Sequence, residues 1–168
     1  MKIRGPVIGM LLGLVAVLAS AYATPALRLV YNASDSAPYG WYVVSPTAPV
    51  QRGDYIVARL PNDVAMLAAE RGYVPLSIPV LKRVAAVGGQ HVCVRDGLVY
   101  VDGVSIGNAL DSDGVGRPLT AWPHCRRLLA GELFLMNPAA QASFDSRYFG
   151  PIDASFVRGR AIHLAMLE

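Results

Sequence analysis

Lysine is almost missing from this chain. Thirteen of its 15 basic residues are arginine, and apart from Lys2 its one lysine is Lys82. Where positive charge alone is wanted, the sequence uses a guanidinium, which does not lose its proton; a desolvated ammonium can. Lys82 lies in the apolar run Ile78-Pro79-Val80-Leu81-Lys82-Arg83-Val84-Ala85-Ala86-Val87. It is therefore a candidate base, and the competing reading is a surface lysine that snorkels its head group to water. Cysteine is as scarce, with Cys93 and Cys125 only. A disulfide between them would close a loop of about 32 residues, worth roughly 3–4 kcal/mol by chain entropy. Free thiols come second. A metal site with His91 and His124 comes last, because no C-x-x-C is present and adjacent His124 and Cys125 do not easily face one ion. Charge is sparse too, at 16% against 54% hydrophobic residues. Setting aside Lys2 and Arg4 leaves 13 basic against 12 acidic residues. With no basic stripe interleaved with aromatics, nucleic acid is not an expected partner. Repeats and low-complexity linkers are lacking as well, so 168 residues read as one domain.

What is there in excess has a location. From Gly5 to Leu27 the chain is uncharged and dense in Leu, Val and Ala. A membrane-crossing helix needs about 20 such residues. Lys2 and Arg4 precede the run, which by the positive-inside rule keeps them in the cytoplasm and exports the rest. Residues 1–27 thus read as an N-terminal membrane anchor or signal segment and 28–168 as an extracytoplasmic domain. Ala21-Tyr22-Ala23 has the small-x-small form of a cleavage site, which would leave a free periplasmic domain. An uncleaved single-pass anchor in the cytoplasmic membrane is favoured, because the run exceeds the usual 7–15-residue core of a signal peptide.

After the anchor come short strands rich in β-branched and aromatic residues: 27–31, 41–44, 55–60, 80–87, 91–95, 98–101, 132–136 and 156–166. Asp96-Gly97 and Asp102-Gly103 are hairpin turn signals. One helix is expected, capped by Asn62, with Val64, Leu67 and Ala68 on its apolar face and Gly72 as its stop. Residues 107–123, rich in Gly, Asp and Pro, read as a loop. The fold class is a mostly-β domain, a small closed or half-closed barrel with one short helix.

Three segments could carry chemistry. In Asn32-Ala33-Ser34-Asp35-Ser36-Ala37-Pro38-Tyr39-Gly40-Trp41-Tyr42, Pro38 holds Ala37 extended and Gly40 permits a backbone closed to other residues. Ser36 is thereby presented just before a rigid turn; a plain polar turn is the alternative. The second is Lys82, which could take a serine proton if apolar neighbours lowered its pKa from about 10.4 toward 7 or 8. Arg83 would point to the opposite strand face. The third is Asn137-Pro138 followed by Ser143-Phe144-Asp145-Ser146-Arg147-Tyr148-Phe149-Gly150-Pro151-Ile152. There Asp145 and Arg147, two apart, would share one face of a strand and could pair. Alone, this segment reads as a polar loop.

In this order the three segments resemble the Ser/Lys-dyad signal peptidases, and within them the conjugative-transfer peptidases of the TraF type. The S-x-P-x-G-x-Y pattern matches Ser36 to Tyr42, Lys-Arg-Val matches Lys82 to Val84, and S-x-D-S/G-R-Y-F-G-P-I matches Ser143 to Ile152. Glu70-Arg71-Gly72-Tyr73 also recurs in that branch. General leader peptidases carry S-M-x-P at the serine and G-D-N before the last motif. This chain has Ser36-Ala37-Pro38 and only Asn137, which favours the conjugative branch.

The resemblance implies a LexA-like β-barrel and a Ser36 nucleophile with Lys82 as general base. It implies an oxyanion hole from the Ser36 N–H and the Ser34 hydroxyl, with Ser143 orienting Lys82 and Asp145 and Arg147 bracing the loop. It implies no cofactor and no metal. The expected function is a membrane-bound serine endopeptidase that matures a pilin-like precursor with small residues near the cut, in some cases joining its ends. Alternatives are a general type I signal peptidase, a non-catalytic exported subunit of a secretion or conjugation apparatus, and a self-cleaving LexA-like barrel.

Overall fold

A computed structural model of the protein describes residues 4–22, 29–46 and 48–166. Helix α1 spans Arg4–Tyr22 and is apolar on every side. The described large side chains from Val7 to Leu18 are all exposed. Among the described residues no helix is long and apolar enough to cross a membrane. The expected run continues to Leu27, and its last residues, with the Ala23 cleavage position, lie outside the described residues.

The domain is built on two antiparallel sheets. The larger has seven strands in the order β1 (Leu29–Asn32), β2 (Gly40–Ser45), β11 (Val157–His163), β3 (Tyr55–Ala58), β4 (Val80–Val87), β9 (Glu132–Leu135) and β10 (Ile152–Asp153). The smaller has four, in the order β7 (Val104–Asn108), β6 (Leu98–Val101), β5 (His91–Arg95) and β8 (Cys125–Arg127). The large sheet is open: its first and last strands, β1 and β10, are not neighbours. The expected barrel is therefore a half-barrel. Strand order also explains why β4 is buried along most of its length. It lies between β3 and β9, with apolar clusters on both faces.

The hairpins β5–β6 and β6–β7 turn at Asp96-Gly97 and Asp102-Gly103, where both residues of each pair have positive φ. This is the backbone that Asp-Gly pairs favour and that matches strand twist. Cys93 and Cys125 face each other across β5 and β8 and form a disulfide. With both sulfurs so bonded, neither offers a thiolate to a metal.

Three expectations change. Helix α2 spans Asn62–Glu70, and its N-cap is Pro61, with no side-chain cap. Asn62 is the first helical residue instead. Proline suits this boundary because its fixed φ and missing N–H cost a helix start little. The last expected strand is shorter, Val157–His163, and 3-10 turns flank it. Asp145 and Arg147 do pair, but not within a strand. Asp145 caps a short helix, α3 (Ser146–Phe149), and accepts the Arg147 backbone N–H. An Asp at that position satisfies an amide the helix itself leaves free.

Candidate active site

The turn between β1 and β2 is locked by one amide. Asn32, buried at the end of β1, points its Nδ2 at the carbonyls of Ser34 and Ala37, both at 2.8 Å, and of Pro38 at 3.1 Å. Its Oδ1 accepts the Ser34 hydroxyl at 2.9 Å. Asn137, also buried, donates to the Ser36 carbonyl at 3.0 Å from the far side. Gly40 is required at the turn's exit: its φ is +132°, and a Cβ there would lie 2.7 Å from His163 Nε2. Ser36 is thus held on a braced backbone, half-exposed, with its Oγ 2.8 Å from Ser34 Oγ.

Lys82 comes from the middle of β4, paired with Ile56 of β3. The residue is 6% exposed. Arg83, next along the strand, points outward and donates to the Gly53 carbonyl at 3.2 Å. Lys82 Nζ donates to Ser143 Oγ at 2.5 Å. A neutral hydroxyl is a poor substitute for water around an ammonium. Burial accordingly pulls the Lys82 value down from 10.5 to about 8, with Asp145 resisting and Arg147 assisting. The amine is therefore neutral in an appreciable fraction of molecules near neutral pH.

The loop that supplies Ser143 is held by a buried ion pair. Arg147 Nε and one Nη each donate to a different Asp145 oxygen at 2.8 Å. That Nη also bonds the carbonyls of Ala140 at 2.7 Å and Ser143 at 3.0 Å. The other Nη reaches Asn108 O at 3.0 Å. Both side chains are essentially inaccessible. Burial pushes the Asp145 carboxyl up, opposed by the Arg147 guanidinium.

Ser34, Ser36, Lys82 and Ser143 all line one cleft of about 430 Å³. Leu60, Ala68, Val74 and Val80 give it apolar walls. Among the described residues no direct hydrogen bond joins Ser36 to Lys82; the serine is engaged by Ser34 and the lysine by Ser143. Unliganded sites often hold such pairs apart until substrate tightens them. What the cleft offers is a hydroxyl on a rigid turn and an amine that sheds its proton easily. Apolar walls, which strengthen polar contacts made inside, surround both.

Asn32 and Asn137 carry much of this geometry, and the sequence assigned neither of them a role. Asn32 stood inside the serine segment, but nothing in its spacing says that one amide closes three carbonyls. Asn137 was marked only by the Asn-Pro pair and as the remnant of a G-D-N, neither of which says that it braces the serine turn.

The chain matches the family described as "Signal peptidase, peptidase S26" over residues 2–166. It is 34% identical over 134 residues to a plasmid transfer protein TraF of Escherichia coli, covering 74% of this chain and 75% of that protein. It is 34% identical over 140 residues to a probable conjugal transfer protein TraF of Sinorhizobium fredii, covering 77% and 73%. To the conjugal transfer protein TraF of Agrobacterium fabrum it is 32% identical over 140 residues, covering 77% and 78%. A crystal structure of a signal peptidase I from Enterococcus faecalis superposes with a TM-score of 0.42 at 23% identity, covering 67% of this chain and 97% of that one. By sequence, this chain belongs to the peptidase S26 signal peptidase family.

Proposed function

We propose that this protein is a membrane-anchored serine endopeptidase with a Ser36/Lys82 dyad, and that it processes a pilin-like precursor on the outer face of the cytoplasmic membrane. The observation that carries the reading is Lys82. It is a buried amine with its pKa lowered to about 8, and it shares a cleft with a serine on a locked turn.

In the first step Ser36 Oγ attacks the scissile carbonyl carbon while neutral Lys82 Nζ takes the hydroxyl proton. The oxyanion is met by the Ser36 N–H and by Ser34, whose hydroxyl turns from Asn32 to donate to it. Collapse breaks the C–N bond, and the Lys82 ammonium returns the proton to the leaving amine. A water, or the amine at the precursor's other end, then attacks the acyl-enzyme with Lys82 again as base. Water gives a cut chain; the amine gives a closed one. Ser143 holds the Nζ in place, and Asp145 with Arg147 holds Ser143.

The membrane placement is supported by α1. Its 19 described residues do not make a span by themselves, but the uncharged run continues in sequence through Leu27 to the length of about 20 residues or more that a span needs. A helix that is apolar all round is not a surface helix. On the outer face of β1 and β2, Tyr31 pairs with Trp41 and Leu29 with Val43, all four exposed. Aromatic residues of this kind are at home at a membrane–water boundary. The disulfide fits an oxidising compartment. The names of the relatives favour a conjugative substrate over general secretory precursors.

The test is mass spectrometry of a candidate pilin precursor incubated with wild type, Ser36→Ala and Lys82→Arg. Wild type should cut the precursor, and the part N-terminal to the cut, carried on Ser36, should leave either as a linear product or, when its own N-terminal amine attacks, as a closed one lighter by a water; both variants should leave the precursor intact. Processing by Lys82→Arg at the wild-type rate would sink the mechanism, since arginine keeps the charge but cannot serve as base. Full pilus function with Ser36→Ala would instead indicate a non-catalytic subunit.

A further inference from the structure

The Gly- and Asp-rich segment after β7 has no part in the chemistry above, yet it grips one side chain of the cleft. After α2, Gly72 adopts φ +70° and the Tyr73 N–H returns to the Ala68 carbonyl at 2.8 Å. The Tyr73 ring then stands beside the Phe144 ring, with centroids 5.0 Å apart, and both line the cleft with Lys82 and Ser143. Phe144 is braced from behind by Tyr148 and Phe149.

The Tyr73 hydroxyl donates to Asp113 Oδ2 at 2.6 Å. The Asp113 side chain is only 7% exposed. It also accepts Arg117 Nε at 2.7 Å and the N–H groups of Arg117 and Val115. Arg117 sits 5.3 Å from the Tyr73 ring centre and donates to the Arg71 carbonyl at 2.8 Å. Arg71 in turn donates to the Pro118 carbonyl at 3.0 Å. Tyr73 is itself only half-buried. The ring is clamped by its hydroxyl and still forms part of the cleft lining.

We propose that Tyr73 is a specificity-determining residue: its ring, fixed by Asp113 and Arg117 and backed by Phe144, limits the size of the peptide side chain that can lie beside Ser143. The proposal rests on the peptidase reading. A clamped ring discriminates better than a free one, because a ring that can swing aside admits the larger side chain at little cost.

The test measures binding, so it needs no turnover. Tetrapeptide aldehydes are made from Ala and Gly, with Leu or Phe replacing one position at a time. An aldehyde carbon bonds to Ser36 Oγ, and the serine proton passes to the aldehyde oxygen as a hemiacetal forms. Wild type should bind the all-small aldehyde best and reject Leu and Phe by at least about tenfold at one position, the scale of packing discrimination in a pocket. Tyr73→Ala should remove most of that rejection at that position alone and leave the others unchanged. Tyr73→Phe and Asp113→Asn, which keep the ring and the packing, should relax the same position by a smaller factor. Their double variant should relax it no further than either single one, as expected for two halves of one contact. The proposal is overturned if the rejection stays at its wild-type value in these variants, or if every aldehyde weakens alike, as loss of mere structural support would cause. Should Tyr73→Ala not fold, the other two variants carry the test. Ser36→Ala separates the two ideas: aldehyde binding that survives it defeats the peptidase reading, whereas Ser36-dependent binding with an unaltered size preference defeats only the role of Tyr73.

Discussion

Two buried cations touch the same short loop, Lys82 reaching it from β4 and Arg147 lying at its end, and the protein treats them in opposite ways. Arg147 is wrapped: a carboxylate takes two of its N–H groups and three backbone carbonyls take others. Lys82 receives one neutral hydroxyl. The first pattern keeps a permanent charge satisfied and fixes a loop. The second leaves a charge poorly solvated, so the amine gives up its proton near pH 8 instead of 10.5. Depth is similar in the two places. What differs is the group, since a guanidinium holds its proton and an amine need not, and the number of acceptors around it; together they make one buried cation a brace and the other a base.

The largest expected effect breaks the Lys82 side. Lys82→Met should lower kcat/KM by about 10⁴-fold or more, comparable with losing one member of a catalytic set that acts as a unit. Its melting temperature should not fall. If activity survives, Lys82 is not the base. Next comes the Arg147 side. Asp145→Ala leaves a buried guanidinium without its carboxylate and should cost about 3–5 kcal/mol in denaturant unfolding. A change near zero would mean that the carbonyls alone suffice.

The third effect sharpens the contrast through pH. Between pH 8 and 10.5 the unfolded chain binds a proton at Lys82 that the folded one does not, so this group makes stability rise with pH across that window. Below about pH 8 both states are protonated and the full cost of the buried ammonium, about 3 kcal/mol, is present. Lys82→Met should abolish this rise, seen as the difference between the two proteins' urea midpoints from pH 7 to 10.5. A parallel pair of curves would place the amine in water. The same protonation predicts that kcat/KM climbs about tenfold per pH unit below pH 8 and then levels. The smallest effect concerns the contact that joins Lys82 to the loop. Ser143→Ala should lower kcat/KM by about 10–100-fold through misplacement of the Nζ, at a cost in stability of about 1–3 kcal/mol, below that of Asp145→Ala. A loss as large as that of Lys82→Met would make Ser143 a participant in proton transfer and not a support.

Much of this is legible in the sequence. Strands β4, β5 and β6 fall where their β-branched residues and Asp-Gly turns put them. The scarcity of lysine pointed to Lys82, and the order of three weak motifs pointed to the family. Other parts were not legible, for physical reasons. β8 is only Cys-Arg-Arg and has no apolar alternation; it is a strand because β5 and the disulfide hold it there. β10 is two residues long, and β7 carries Ser, Gly and Asn. The Asp145–Arg147 pair was visible as a pair, but two residues of spacing suit a strand face and a helix cap alike. Asn32, Asn137 and Tyr73 act through partners far along the chain or through several carbonyls at once. Such convergence exists only after folding.

The solitary lysine has a spectroscopic consequence. Isotope labelling of lysine alone would put two side-chain amines into the spectrum of this protein, one of them from Lys2. The other is the buried nitrogen at the floor of the cleft. Its resonance could be followed by itself while pH is changed, inhibitor added or precursor bound, with no neighbour of its own kind to be mistaken for it. The molecule carries a reporter at the one atom whose proton matters most.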